Sequence, residues 1–351
     1  MSSMPFPETG NRSLRHSGAR SYELDALRGL AILSVLLYHF TTRYNQLYGH
    51  PASVTFEFSH GYLGVHLFFI ISGFVIFMSL GKTAHGLDFV MHRLSKLYPA
   101  YWFSIFLTFV IVHIFSLPGR EVNLLHALIN LSLLQTWLSV PHIDGVYWVL
   151  SRFLCFYVLM LLLFNMRQLK SIESISILWL AFIFLNRFSE SIFGFALPGI
   201  IQLTLLFDFG NLFILGIMFF RIKNKGNTVW RNTIIGLCLL VQWFLADGTT
   251  FMIICGFVLL FYLFLWNCLS FIATRPLIFL GKISYVLFLI HQNIGYVVIR
   301  YLYRLDSEYM PVIILPTLLS IVLATLITFY IANPATHAIR TLYSRRHLTP
   351  A

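Results

Sequence analysis

The chain has 351 residues, 58% of them hydrophobic and 11% charged, with a mean hydropathy of +0.80 and a net charge of +11. A water-soluble domain carries about a quarter charged side chains to solvate its surface, so a soluble protein is excluded and membrane lipid must solvate much of the exterior. The positive residues are dispersed between apolar runs and not gathered in one basic domain; this reads as topology signals and argues against nucleic acid as a partner.

The first 25 residues are polar, with Arg12, Arg15, His16 and Arg20. They lack the early apolar stretch and small-residue cleavage site of a secretory signal. A flexible cytoplasmic arm is expected over 1–25, with the run from Ala26 as a retained first span. A span needs about 20 apolar residues. Such runs lie near 26–42, 61–80, 98–117, 147–165, 174–189, 198–220, 232–247, 250–270, 283–303 and 311–332. An eleventh run, 124–138, is short and lies between Pro118 and Pro141. Positive-inside counting sets its status. With a cytoplasmic amino terminus and no crossing at 124–138, 18 of the 24 Lys and Arg fall on inner segments. A crossing there would turn the later basic loops outward. The expected fold is all-α: a polytopic transmembrane helix bundle of about ten spans plus one re-entrant or interfacial segment. The membrane domain is expected over 26–332, with a cytoplasmic tail at 333–351. No internal repeat is visible, and the matched broken helices of repeat-built transporters are not found. The four cysteines lie inside apolar runs without metal-ligand spacing.

The first span reads ELDALRGLAILSVLLYHF. Arg28 and His39 are eleven positions apart, so they differ by about 20° around a helix and about 16 Å along it. Polar side chains inside a membrane are costly and usually face an interior cavity, so both are expected to look into one side of the bundle. Either residue could instead serve as an anchor near a membrane interface.

An Arg, ten residues and a His resemble the signature of the acyltransferase family 3 membrane proteins. GYLGVHLFFIISGFVIF (61–77) is similar to that family's second-span motif, and FVMHRLSKLYPAYW (89–102) resembles its basic entry to the third span. DGVYWVLSRFLCFYVL (144–159) matches the frame of its Trp-led segment, and GKISYVLFLIHQNIGY (281–296) resembles its late Gly-Lys-Ile-Ser-Tyr…His segment. The resemblance implies about ten spans, and transfer of an acyl group, commonly acetyl, from acyl-CoA to a hydroxyl of a saccharide or lipid-linked glycan. It also implies a bacterial inner-membrane location with cytoplasmic termini.

A hydroxyl needs a base within hydrogen-bond reach, and His39 stands at the motif's His; the motif's Arg28 is assigned with it to the catalytic pair. The donor's phosphates need cations, for which Arg28, Arg93 and Lys96 stand at motif positions. Arg93 and Lys96 also suit simple positive-inside anchoring. The family usually has Arg where Lys96 stands, so the bidentate fork is lost here. Asp25 is placed to orient Arg28. The acceptor is assigned to His66, Trp148, Arg152 and His291. No metal is expected, since the histidines lack Cys or carboxylate spacing. Sequence leaves both direct attack and an acyl-histidine route open.

Two departures stand out. The family's Glu five residues after the motif Trp is Phe153 here, with Arg152 beside it, and Ala332-Asn333-Pro334 replaces the usual acidic residue before Pro. Arg152 either pairs with Asp208, reaches an interface or meets an anionic acceptor. Phe153 keeps a second reading open, a glycan-binding or transport protein on the same fold that has lost catalysis.

Overall fold

The computed structural model describes residues 21–51, 56–305 and 309–348. The expected arm over 1–25 thus lies mostly outside the described residues, as do the last three residues of the tail. Every regular element among the described residues is a helix.

Among the described residues, eight helices are long and apolar enough to cross a membrane. They include α1 (Tyr22–Tyr48), α2 (Ser59–Leu80), α3 (Gly86–Phe115), α5 (Gly145–Asn165) and α6 (Gln168–Phe193). They continue with α10 (Gly248–Leu265), α11 (Arg275–Arg304) and the run Pro311–Arg345, built from α12 (Tyr309–Ile327), a π turn and α13 (Asn333–Leu348). Two shorter helices, α8 (Gly210–Lys225) and α9 (Val229–Leu245), fill the remaining expected runs. Several helices outrun their apolar stretches: α3 begins at Gly86, not near 98, and α11 at Arg275, not near 283. Hydropathy marks only the lipid-facing part of a helix, whereas backbone hydrogen bonds carry it on through charged ends.

The 124–138 run forms α4 (Leu124–Asn130) followed by turns. Seven residues rise about 10 Å, too little to cross a core of about 30 Å. Asn130 ties the segment down: its Nδ2 donates to the Pro141 carbonyl (2.9 Å), its Oδ1 accepts from the Ile143 N–H (3.2 Å), and the Tyr101 hydroxyl donates to its carbonyl (2.8 Å). The 198–220 run is also interrupted. A short helix, α7 (Gly199–Thr204), is followed by turns before α8 begins. Asp208 therefore lies in a turn with its side chain 57% exposed, not mid-span as its place in the run suggests.

α1 packs chiefly against α11, and also against α2. A Cβ at Gly29 would strike the Leu277 carbonyl, and one at Gly281 the Asp25 carbonyl. Only glycine lets these two backbones approach so closely. Gly73 on α2 and Gly216 on α8 make the same kind of contact, so the small Ser72-Gly73 pair serves packing on its glycine side. Glu173 on α6 accepts from Arg221 on α8 (2.8 Å) and Arg231 on α9 (2.9 Å), which joins three helix ends. α13 lies along the start of α3. Arg340 donates to the Ser95 hydroxyl and the His92 carbonyl (both 3.0 Å), and the Tyr343 hydroxyl donates to Asp88 (2.8 Å).

Candidate active site

Two adjoining cavities open at the Arg28 end of the bundle. The smaller, about 180 Å³, is lined by Arg28, Arg93, Lys96 and Lys282 and by apolar and aromatic groups that include Phe68, Phe153, Tyr157 and Phe288. The larger, about 500 Å³, shares Arg93, Lys96 and Lys282 and adds Lys82, His92 and Arg340. Arg28 Nη1 lies 3.3 Å from Asp25 Oδ1, the arrangement their i,i+3 spacing predicts. Arg93 donates to the Ser79 hydroxyl and stacks on Phe89 and Tyr157, with 5.3 and 5.7 Å to the ring centroids. Among the described residues, Arg93, Lys96, Lys282 and Arg340 pair with no carboxylate. Uncompensated cations around one concavity favour an anionic ligand. Sequence reading assigned only Arg28, Arg93 and Lys96 to this site. Lys282 was visible in the Gly-Lys-Ile-Ser-Tyr segment but counted only toward topology, and nothing local marked Arg340, which α13 delivers.

His39 begins a π turn, His39–Arg43, in α1, and His291 lies one turn beyond Phe288 on α11. His39 Nδ1 is 3.2 Å from His291 Nε2 and 2.9 Å from the Val35 carbonyl. His291 Nδ1 is 2.9 Å from the Phe288 carbonyl and 3.1 Å from that of Leu287. Carbonyls only accept, so the network assigns the proton of His291 to Nδ1 and leaves its Nε2 as an acceptor. His39 Nδ1 then faces two acceptors and must carry its own proton. The consequence is a bare Nε2 on His39, which hydrogen-bonds to nothing among the described residues. His39 retains 9% exposure and His291 none. His291 thus stands behind His39 as its hydrogen-bond partner.

The two regions nearly meet. Phe68 and Phe288 line the far end of the smaller cavity, with ring centroids 6.3 Å apart, and the Phe288 ring lies 5.9 Å from His291. Arg28 and His39 do share a face of α1, both toward α11, but one aromatic layer separates the cations from the imidazoles.

The other residues assigned to the acceptor gather elsewhere. Phe209 packs against His66 (5.5 Å between centroids) and Trp148 (5.6 Å), and Arg152 lies over Trp148 (5.1 Å). Arg152 Nη2 is 4.0 Å from Asp208 Oδ2, so the expected pairing is present, at the limit of contact. This cluster is linked to His39 through Tyr62 and Tyr38, which pack ring to ring. His66, Trp148 and Arg152 are therefore together, whereas His291 is not with them.

A polar group that sequence reading passed over adjoins the histidines. Asp144, fully buried, caps the start of α5 through the Val146 N–H (3.2 Å) and reaches the Asn293 N–H on α11 (3.0 Å). Burial pushes its carboxyl up from 3.8 to about 6, against the pull of those two N–H groups. Asn293 Nδ2 donates to the Ile143 carbonyl (2.8 Å). Asp144 thus anchors the stretch of α11 that carries His291. The only sequence signal was Asp144 opening the DGVYW segment.

A model of the acyltransferase domain matches residues 21–333. The chain belongs to acyltransferase family 3. Within this family frame the match runs from the start of α1 into α13, and so holds every residue placed around the cavities and histidines except Arg340. A Bacillus subtilis (strain 168) protein named "Putative peptidoglycan O-acetyltransferase YrhL" is 33% identical over 132 residues, 34% of this chain and 18% of that protein. The aligned stretch is therefore under a fifth of that relative's length. No solved structure matches the chain. Phe153, where the resemblance predicts a carboxylate, has a definite place: its ring lines the smaller cavity and packs on Phe69 (5.4 Å) and Phe213 (6.1 Å), which makes that part of the wall apolar.

Proposed function

We propose that this chain moves an acyl group, acetyl in the first instance, from acyl-CoA to a hydroxyl of a saccharide or lipid-linked glycan. His39 is the general base. The observation that carries this reading is the bare Nε2 of His39, held by His291 one aromatic layer from a cation-lined cavity. The donor's phosphates sit among Arg93, Lys96, Lys282 and Arg340, beside Arg28, and its thioester arm points toward Phe288. The acceptor hydroxyl gives its proton to His39 Nε2 as its oxygen attacks the thioester carbon. The C–S bond then breaks, and the departing thiolate takes the proton back from the imidazolium. Proton and thiol balance, and His39 returns to its starting tautomer. The acceptor approaches along His66, Trp148 and Arg152.

The placement in the bilayer is part of the proposal. The Arg28 end faces the cytoplasm, where acyl-CoA is available, and ten spans return both termini there, in the inner membrane of a bacterium. The membrane domain is 26–332, with an arm at 1–25 and a tail at 333–351. The basic residues gathered at one end support this orientation.

The test is His39→Ala against the unaltered protein, at matched membrane levels, with acetyl content of surface glycans read by mass spectrometry. Loss of a general base lowers the rate about 10²–10⁴-fold, so the acetyl ester is expected to vanish. Unchanged acetylation with impaired glycan export would sink the enzyme reading in favour of transport.

A further inference from the structure

The layer between cations and histidines is made of two side chains. Phe288, 6% exposed, projects from α11 one turn before His291, and Phe68 faces it from α2. The cavity wall beneath them is mostly apolar, with Val75, Val149, Leu150 and Phe153, while Ser72 and Ser284 stand one turn from the two rings. Beyond them the space is filled: His291 is fully buried, Phe40 likewise, and the Phe40 ring is 6.2 Å from that of His291. A thioester that enters among the cations must pass these two rings to reach His39 Nε2. Behind the rings there is little room for a long chain to follow.

We propose that Phe288, with Phe68 as its opposing wall, sets the size of the acyl group. The rings part for a short acyl thioester, such as acetyl, and turn back a long one. They also close behind the thioester arm and keep water in the cation-lined cavity from the reacting carbon. Phe153 contributes to the same effect, because its ring adds apolar wall beside the passage. This inference rests on acyl-CoA as donor and adds to it the acyl class and the residue that selects it. The physical basis is close packing. Phe288 is buried and Phe68 partly so, with filled space behind them, and each added methylene must displace a ring or stay outside.

The experiment uses the full-length protein in nanodiscs, with Phe288→Ala, Phe288→Leu and, from the opposite wall, Phe68→Ala. Binding of acetyl-CoA and octanoyl-CoA is measured by competition, and release of acetate from acetyl-CoA is measured without acceptor. The unaltered protein is expected to prefer acetyl-CoA at least tenfold. Phe288→Ala is expected to bring that ratio near one and to raise acetate release severalfold, with Phe288→Leu in between. A ratio near one in the unaltered protein, or one that the alanine variants leave untouched, overturns the proposal. If Phe288→Ala does not fold, Phe288→Leu and Phe68→Ala decide. Acetyl transfer to glycan is scored on the same samples. Ratios that shift as expected without any transfer would keep the size filter and sink the transferase reading. Transfer with unshifted ratios would do the reverse, and binding of neither ester would overturn donor and filter together.

Discussion

At the scale of single residues, which imidazole nitrogen is left free is decided by an accounting of donors and acceptors. Two backbone carbonyls fix the proton of His291 on Nδ1, and the pair contact then fixes that of His39 on its own Nδ1. A neutral His291 therefore does for His39 what a carboxylate does in a hydrolase triad: it holds one tautomer and one ring orientation. It does so without a counter-charge. His291→Ala is expected to lower kcat about 10²-fold with KM for acyl-CoA within about twofold, since the proposed donor site is on the other side of Phe288. His291→Gln keeps an acceptor oxygen and is expected to recover part of the loss. Steady-state kinetics on both variants checks this, and a rise in KM alone would assign His291 to binding. His39 and Arg28 were legible in the sequence because both lie on one helix. His291 was visible as a motif residue, but its role was not, because the partner is 252 positions away.

At the scale of elements, the site depends on how closely α1 and α11 lie. Glycines at 29 and 281 remove the side chains that would hold those backbones apart, so facing residues further along both helices come within hydrogen-bonding distance. The same end of the bundle is held on its other side by a charge cluster, Glu173 between Arg221 and Arg231. Glu173→Gln leaves two largely buried guanidiniums without a counter-charge and is expected to cost about 3 kcal/mol. Unfolding of the reconstituted protein in detergent would measure it, with acyl transfer at low temperature little changed. Hydropathy located these helices well, and it found the short 124–138 run that does not cross. It overran at 198–220, because an apolar average does not register a turn such as that around Asp208. The side chains of a turn can be apolar while its backbone leaves the helix.

At the scale of the whole molecule, charge and architecture point the same way. The cation-lined cavities, the α8–α9 turn and the strapped α13 belong to the end of the bundle where basic residues concentrate. In a background lacking Cys268, cysteines placed at Ala84 and Asn227 are expected to react from the cytoplasmic side only, and one at Glu121 from the opposite side only. Labelling of Asn227→Cys from outside would break the proposed orientation while leaving the fold intact. The same architecture explains why α13 matters to a site far from it in sequence. Arg340 enters the larger cavity because α13 lies back along α3, held by Ser95, His92 and Asp88.

By itself the sequence determined a many-span helical protein, the shared face of Arg28 and His39, and membership in acyltransferase family 3. These follow from composition, from helical periodicity and from short motifs, all of which are local along the chain. Only the tertiary structure decided which imidazole nitrogen is bare, that Lys282 and Arg340 complete the cationic wall, and that two phenylalanines stand between the cation-lined cavity and the histidine pair. Those facts are contacts between distant segments. They depend on the distance and rotation at which helices pack, which small residues and buried polar pairs set jointly and no single stretch of sequence encodes.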